Sequence, residues 1–270
     1  APGEGAGVLL LQPLEDALRE GAAIYGVIRG SGVSHTGSSP SITMAGVEGQ
    51  CRAIARAHAA CGFDPSSITY VEAHGSGTPQ GDPVEFEALC RAFAPFAARK
   101  GYCRIGSVKT NIGHLEAAAG VMGVIKVLLM MANRQIPPLL HFREPNPKID
   151  FGPSPFRAAD RLTEWLPAET GLPLRAGVSS FGLGGVNVHV VLESHGEPAG
   201  CGHRPPWREY PGESFGILRG APGETAAASE LAAKKISREA EMCARLKGIF
   251  AEKLECGVQD LGEEDYFIEE

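Results

Sequence analysis

The sequence predicts an α/β fold, because patterns typical of strands and of helices alternate along most of the chain. Short apolar runs at 24–30 and 68–73 are typical of buried strands. Residues 47–61 carry apolar side chains at spacings of three and four, which is typical of a helix. With 270 residues, 43% of them hydrophobic and 21% charged, the chain has the composition of a soluble globular protein.

Each predicted element has a local signal. Strands are predicted at 8–11, 24–30, 68–73, 104–109, 176–180 and 187–193, and helices at 14–20, 47–61, from 82 onward and at 113–133. Asp82 can cap the third helix, Pro83 suits its first position and Glu85 completes a capping-box pattern. The 113–133 helix is apolar enough to be buried on most of its sides, and the polar 31–41 and proline-rich 137–155 segments are expected to be irregular.

Three segments with glycine and polar residues follow predicted strands. They are 74–78, with His74; 106–114, with Lys109 and His114; and the glycine-rich turn at 181–187. Ligand sites in α/β proteins lie at strand ends, so these segments could face one pocket. Two neutral imidazoles could donate hydrogen bonds to an oxygen that becomes negative in a transition state.

Structural roles remain open at this point. A single histidine at a strand end, such as His74, is more often structural than catalytic. Lys109 could be a surface charge, and residues 182–185 could form an ordinary hairpin turn. The spacing of these residues does not decide between the two interpretations.

Three long motifs in order give a specific resemblance. VEAHGSGTPQGDPVE at 71–85, GSVKTNIGHLEAAAG at 106–120 and FGLGGVNVHVVLE at 181–193 resemble the motifs of β-ketoacyl synthases. NPKIDFGPSPF at 146–156 resembles the segment that type I ketosynthases carry between the last two motifs. The sequence is most similar to the ketosynthase domains of modular polyketide synthases, and the similarity covers about 3–193.

This resemblance implies a fold and a reaction. The fold would be the thiolase-like αβαβα layered sandwich, represented here mainly by its C-terminal half plus the last strand of the N-terminal half. The reaction would be a decarboxylative Claisen condensation of an acyl thioester with a malonyl-type extender on acyl carrier protein. A cysteine nucleophile would hold the acyl group during this reaction.

The resemblance also implies roles for individual residues. His74 and His114 match the two active-site histidines, and Lys109 matches the lysine that holds the second histidine in a polar network. Ser76 and Thr78 stand where the family binds the pantetheine arm with two hydroxyls. The gating position beside the oxyanion hole is occupied by Leu183.

The nucleophile of the family is missing from these residues. None of the seven cysteines lies in a segment like the DTACSSS elbow of ketosynthases. The chain is therefore expected to be truncated at its N-terminus and inactive in condensation as an isolated fragment. The alternative is a non-catalytic or decarboxylase-only relative that serves as a scaffold or chain-length partner.

The remaining expectations concern organisation and partners. We expect a ketosynthase region at 1–193, a linker at 194–223 and a helical, acidic tail at 224–270. No metal or cofactor is implied beyond the phosphopantetheine arm, and the expected partners are acyl carrier protein, acyl thioesters, other synthase domains and a second copy of the complete domain. A net charge of -7 argues against nucleic acid, the apolar run at 121–132 is too short to span a membrane, and scattered cysteines suggest the cytoplasm.

Overall fold

The structure is a computed structural model that describes residues 2–37, 46–97 and 99–196. The chain divides into a unit at 1–205 and a second unit at 206–270. The predicted tail and nearly all of the predicted linker lie outside the described residues. The predicted division at 193 and 223 therefore stays a prediction.

The described chain alternates between helices and strands. The helices are α1 Leu14–Glu20, α2 Val47–Ala60, α3 Gly81–Phe93, α4 Lys109–Ile112 and α5 Ala119–Asn133, with short 3₁₀ turns at Pro65–Ser67 and Glu116–Ala118. The strands are β1 Val27–His35, β2 Tyr70–Glu72, β3 Cys103–Gly106, β4 Gln135–Ile136, β5 Phe156–Ala158, β6 Thr163–Glu164, β7 Arg175–Phe181 and β8 Val186–Glu193.

Six strands form one mixed sheet in the order β1-β8-β7-β2-β3-β5. Strands β7, β2, β3 and β5 run parallel, whereas β8 is antiparallel to both of its neighbours. Strands β4 and β6 form a separate antiparallel pair. The alternation predicted from the sequence is confirmed, and the structure pairs β7 with β8 in antiparallel orientation around the glycine-rich turn.

Helices cover both faces of this sheet. Successive side chains of a strand point to opposite faces, and β2 shows the consequence. Tyr70 packs with Val127 and Trp165 on the face covered by α5, while Val71 packs with Leu89 and other α2 and α3 residues on the opposite face. Layers on both faces bury β2 completely and most of β3 and β7, as expected for this class of fold.

The strand predicted at 8–11 is wrong. Residues 3–13 form neither helix nor strand, and Val8 and Leu10 are 90% and 95% exposed. A strand needs a hydrogen-bonded neighbour, and within the described residues no strand lies beside this segment. Residues 8–11 have the apolar composition of a buried strand, but composition alone does not show whether a neighbouring strand is present.

Other boundaries differ because of long-range pairing. Residues 31–35, predicted as loop, extend β1 because each of them pairs with β8. The strand predicted at 104–109 ends at Gly106, and Lys109 begins α4 instead. Helix α5 is buried along one side only, with Leu129 51% exposed, so the expectation of burial on most sides is wrong.

One stretch of the described chain, Glu116–Asn133, is long and apolar enough to cross a membrane, with a mean hydropathy of 1.4. It includes α5, which packs against β7 in the fold. Its Lys126 ammonium lies 2.8 Å from the carboxylate of buried Glu72. The apolar side chains on the buried side of this helix pack within the domain.

Two buried histidines, His58 on α2 and His189 on β8, lie between the sheet and the helices, with ring centroids 5.9 Å apart. His58 is 4% exposed and packs edge-on against Phe93 at 4.7 Å. Burial lowers the pKa of His58 from 6.5 to about 4, and burial likewise lowers the pKa of His189. Both rings are neutral in the folded chain near neutral pH.

We expect the free energy of unfolding to fall as the pH drops from 6.5 towards 4, because the unfolded chain binds a proton on His58 that the folded chain excludes. For this histidine the loss at the lower end is on the order of 3 kcal/mol. Urea unfolding across that pH range measures it. The ring of the variant His58→Phe can still pack against Phe93, and its free energy of unfolding should depend less on pH. An unchanged pH dependence in this variant would contradict the assignment of the effect to His58.

Candidate active site

The predicted site residues lie at one edge of the sheet. Strands β7, β2 and β3 are parallel neighbours, so their carboxyl ends meet there. His74 follows β2, Lys109 follows β3 and Phe181 ends β7. The chain then returns towards this edge at His114, just before the 3₁₀ turn that leads into α5.

The two predicted histidines lie next to each other. The ring centroids of His74 and His114 are 5.4 Å apart, with the ring planes at 78°. The residues come from different strand–loop–helix units, 40 positions apart in sequence. The structure therefore brings together the pair that the strand-end positions suggested.

Backbone hydrogen bonds set the tautomer of both rings. The N–H of Phe181 donates to Nδ1 of His74 at 3.4 Å, and the N–H of Glu116 donates to Nδ1 of His114 at 3.0 Å. In a neutral imidazole whose Nδ1 accepts, the proton is on Nε2. Each ring consequently offers an Nε2–H donor to a ligand.

The surroundings keep both rings neutral. Burial, with the charges of Lys109 and His114 as smaller causes, lowers the pKa of His74 to about 3. The pKa of His114 is also lowered, first by burial and then by Lys109, while Glu116 opposes the shift. A protonated imidazole would place a second positive charge beside Lys109, so the neutral donor form predominates near neutral pH.

Lys109 is the positive charge of the site. It stands at the first position of α4 and is partly buried. Burial lowers its pKa, whereas Glu85, Glu72 and Asp82 raise it. Within the described residues no carboxylate lies within 4.0 Å of its ammonium. Its charge is one of the causes that lower the pKa of both histidines.

Glu85 holds the loop that carries His74. Its two carboxylate oxygens accept the backbone N–H of His74 at 2.7 Å and of Gly75 at 2.8 Å. Gly75 has a φ of +51°, and a Cβ there would lie 2.8 Å from the side chain of Ser107, so only glycine fits this turn. Burial raises the pKa of Glu85 to about 7, although both N–H donors oppose the shift.

The predicted capping box is therefore wrong. Helix α3 begins at Gly81 after Gln80, and no side chain of Gln80 caps it. Asp82 accepts the N–H of Gly77 at 3.0 Å, and Glu85 bonds the loop instead of its own helix. The local D-P-x-E pattern fits a cap, but these carboxylates bond loop N–H groups that precede the helix by several residues.

Ser76 and Thr78 lie on the same loop, beside the histidines. Their hydroxyl oxygens are 3.1 Å apart, and Thr78 Oγ1 also accepts the N–H of Gly81 at 3.0 Å. Ser76 is partly buried and Thr78 is exposed. Both hydroxyls can thus reach a ligand that approaches this edge from solvent.

Leu183 lies at the tip of the turn between β7 and β8. Its side chain is 69% exposed. The turn is closed by the hydrogen bonds from Gly182 N–H to Val186 O at 2.8 Å and from Gly185 N–H to Gly182 O at 3.1 Å. Neither bond uses the N–H of Leu183, which is consistent with a free donor at this position.

Family models match most of the chain. The β-ketoacyl synthase C-terminal domain matches residues 25–143, and the ketoacyl-synthetase C-terminal extension matches residues 145–254. The first match includes both histidines and Lys109, and the second includes Leu183. The chain belongs to the β-ketoacyl synthase family.

Ketosynthase relatives are found by sequence and by structure. The chain is 43% identical over 217 residues to polyketide synthase PksL of Bacillus subtilis (strain 168), and the aligned region covers 78% of the chain and 5% of that protein. It is 47% identical over 199 residues to polyketide synthase ThaG of Burkholderia thailandensis, covering 70% of the chain and 4% of that protein. The chain thus spans only a small part of these synthases.

Solved ketosynthases share the fold. The ketosynthase from module 6 of the bacillaene synthase of Bacillus subtilis 168 matches with a TM-score of 0.66 and 44% identity, over 68% of this chain and 33% of that one. Ketosynthase twelve of the bacillaene polyketide synthase in Bacillus amyloliquefaciens matches with a TM-score of 0.65 and 40% identity, over 67% and 32%. The described sheet is therefore the C-terminal part of a thiolase-like ketosynthase domain.

Two cysteines of the described ketosynthase region, Cys90 and Cys103, are unsuited to nucleophilic attack. Cys51, Cys61, Cys90 and Cys103 are free thiols, and all four lie on or beside the elements away from the histidines. Burial raises the pKa of Cys90 to about 11 and that of Cys103 further. A reactive cysteine needs a lowered pKa, so Cys90 and Cys103 do not fit a nucleophilic role.

Sequence reasoning missed a further group of ketosynthase residues beneath the histidines. Glu72 is 1% exposed, and its carboxylate accepts hydrogen bonds from Tyr70 and Lys126. The sequence did offer a signal for this group. Glu72 is a charged residue in an apolar strand, two positions before His74, and Lys126 is a charged residue in the middle of the apolar helix α5. Within the described chain no cluster of three His, Cys, Asp or Glu is placed to hold a metal.

Replacing Glu85 by Gln is expected to loosen the His74 loop, because a carboxamide can accept only one of the two N–H groups through its oxygen. An unsatisfied buried donor costs about 1–3 kcal/mol. Hydrogen–deuterium exchange of the His74 and Gly75 amides should be faster in Glu85→Gln. Glu87→Gln, an exposed change on the same helix, is the matched control, and equal exchange in both variants would contradict this role.

Proposed function

We propose that this chain supplies the decarboxylating half of a polyketide ketosynthase active site. The observation that carries this proposal is the pair of neutral imidazoles 5.4 Å apart, each with its Nδ1 bonded to a backbone N–H. Such a pair presents two Nε2–H donors to one oxygen. The thioester oxygen of a malonyl-type extender on acyl carrier protein is the acceptor that the family resemblance suggests.

The proposed reaction begins at the extender. The bond from its α-carbon to the free carboxylate breaks, carbon dioxide leaves, and the electron pair forms an enolate whose oxygen bears the charge. His74 and His114 donate hydrogen bonds to this oxygen, and Lys109 adds a positive charge nearby. Preorganised donors of this kind lower the barrier because their orientation is fixed before the charge develops.

The condensation completes the sequence. The enolate carbon attacks an acyl thioester held on the nucleophilic cysteine of the complete domain, which lies outside these 270 residues. The new carbon–carbon bond forms and the cysteine thiolate leaves. We infer that Leu183 supplies its backbone N–H to the oxyanion of this step and that its exposed side chain contacts the acyl chain. The reaction calls for no metal or organic cofactor beyond the phosphopantetheine arm as carrier.

Partners and location follow from the same proposal. The exposed hydroxyl edge of Ser76 and Thr78 would receive the pantetheine arm of acyl carrier protein, and other synthase domains would supply the acyl group. A homodimer of the complete domain, the absence of nucleic acid and the absence of a membrane span stay predictions. The free thiols at 51, 61, 90 and 103 favour a reducing compartment such as the cytoplasm.

Removing either histidine should abolish most of the decarboxylation. In a complete ketosynthase domain that contains this chain, His74→Ala and His114→Ala should each reduce carbon dioxide release from malonyl-acyl carrier protein by about 10²–10³-fold. Acyl loading of the cysteine should persist, because it precedes the decarboxylation step. Release of ¹⁴C-labelled carbon dioxide and mass spectrometry of the acyl-enzyme measure the two steps separately.

The exposed His141 provides the control for these variants. His141→Ala should leave both steps unchanged. Equal decarboxylation in His74→Ala and the unsubstituted domain would refute the proposal. Decarboxylation without acyl loading in the unsubstituted domain would favour the decarboxylase-only alternative.

The hydroxyl pair should affect substrate binding more than turnover. Ser76→Ala is expected to raise KM for the carrier-bound extender by about 2- to 10-fold, the range of one neutral hydrogen bond, with kcat nearly unchanged. Thr78→Ser keeps the hydroxyl and should preserve KM. Steady-state kinetics measures both constants. Thr163→Ala, away from the hydroxyl pair, is the control. A fall in kcat at constant KM in Ser76→Ala would contradict a pantetheine contact.

A further inference from the structure

A buried charge network lies directly beneath the candidate site. The side chain of Glu72 is 2% exposed and that of Lys126 is 13% exposed, and their charged atoms are 2.8 Å apart. Tyr70 Oη donates to the same carboxylate oxygen at 2.7 Å and accepts from Lys126 Nζ at 3.0 Å. Three side chains from β2 and α5 thus form a closed set of hydrogen bonds.

The second oxygen of Glu72 reaches the neighbouring strand end. It accepts the backbone N–H of Val108, the residue immediately before Lys109. The same carboxylate lies two positions before His74, while Lys126 is on the helix that His114 precedes. Glu72 therefore joins the three elements that carry the histidines and the lysine.

The burial of this network is costly and needs a reason. Taking two charges out of water costs several kcal/mol per ion, and an apolar replacement of similar volume is often at least as stable. Packing alone would therefore favour apolar side chains at these two positions. The directed hydrogen bond to Val108 is a contact that an apolar side chain cannot make.

We propose that Glu72 is a positioning residue for Lys109: its carboxylate, oriented by Lys126 and Tyr70, fixes the Val108 backbone and thereby the place of the Lys109 ammonium relative to the two histidines. This inference rests on the function proposed above, in which Lys109 is the positive charge of the site. It assigns Glu72 and Lys126 a role in turnover although neither contacts the substrate.

The charges of Glu72 and Lys126 also affect the pKa of Lys109. The ionisable groups that face Lys109 from the surrounding elements are Glu72, His74, Asp82, Glu85, His114 and Lys126. Glu72 raises the pKa of Lys109 and Lys126 lowers it, so the two partners oppose each other. Removing one partner should shift the Lys109 titration, and the two single removals should shift it in opposite directions.

The test uses a complete ketosynthase domain that contains this chain. Trace acetylation across a pH series, with the Lys109 peptide quantified by mass spectrometry, gives the titration midpoint of that amine without any turnover. We expect the midpoint to fall in Glu72→Gln, to rise in Lys126→Met, and to return close to the original value in the charge-balanced double variant. Lys126→Arg should keep it unchanged.

Kinetics and a matched control complete the test. Misplacing Lys109 should lower kcat in each single variant by about 10- to 100-fold, the range for a displacement on the order of 1 Å, with KM for the extender little changed. Glu193→Gln removes a comparably buried carboxylate that pairs with Arg29 and Arg175 at the opposite end of β7. It should leave the Lys109 midpoint unchanged.

Defined results would overturn the inference. Single variants that both leave the Lys109 midpoint unchanged, or that shift it in the same direction, would reduce the network to a structural role. A folded Glu72→Gln domain with undiminished kcat would do the same. If Glu72→Gln does not fold, the Lys109 midpoint and kcat of Lys126→Met and of the double variant test the inference instead. If the unsubstituted domain releases no carbon dioxide, the proposed function fails, while the labelling result still tests the network.

Discussion

Parallel strands that end at a common edge decide where most of the candidate site residues of this chain stand. Strands β7, β2 and β3 are hydrogen-bonded neighbours with the same direction, so the residues that follow them enter the same small region. His74 stands at the centre, Lys109 on one side, and the glycine turn after Phe181 on the other. The loops themselves need little length, because the sheet has already brought their ends together.

Two buried carboxylates then convert approximate placement into fixed geometry. Glu85 accepts the N–H groups of His74 and Gly75, and Glu72 accepts that of Val108. Both bond the backbone rather than the side chains that we propose to be catalytic. Backbone N–H groups near a ligand cleft would otherwise be satisfied by water, and a loop bonded to water is free to move. Carboxylates held inside the fold replace this water with oriented acceptors.

The sequence predicted the positions of the candidate site residues better than the contacts that support them. His74, Lys109 and the glycine turn were placed at strand ends because an apolar run followed by small polar residues is a local pattern. His114 was the harder prediction, because it lies several residues beyond the end of β3 and its spacing left a shared pocket with His74 undecided. The resemblance to ketosynthase motifs favoured the pairing, and the structure shows it directly through the approach of the two rings.

The errors have a common physical cause, which is competition from distant parts of the chain. Glu85 satisfies a capping pattern in sequence, yet two unsatisfied N–H groups ten and eleven residues earlier bind it instead. Residues 8–11 have the composition of a strand, but strand formation depends on a partner that local composition cannot supply. The Glu72–Lys126 pair spans 54 positions, and only the sheet and helix packing bring its charges together.

The combination of a cationic lysine with neutral imidazoles has a chemical consequence for the proposed decarboxylation. An imidazolium would stabilise a negative oxygen more strongly than a neutral ring, but it is also acidic enough to protonate the enolate and destroy the carbon nucleophile. Neutral Nε2–H groups donate hydrogen bonds without giving up their proton. Lys109 would supply positive charge on a much weaker acid. Burial is the main cause that lowers the pKa of His74 and of His114, and the charge of Lys109 adds to it. In the proposed reaction the lysine would stabilise the enolate and would also help to keep the histidines neutral, so its position relative to both rings would matter more than its contact with any single partner.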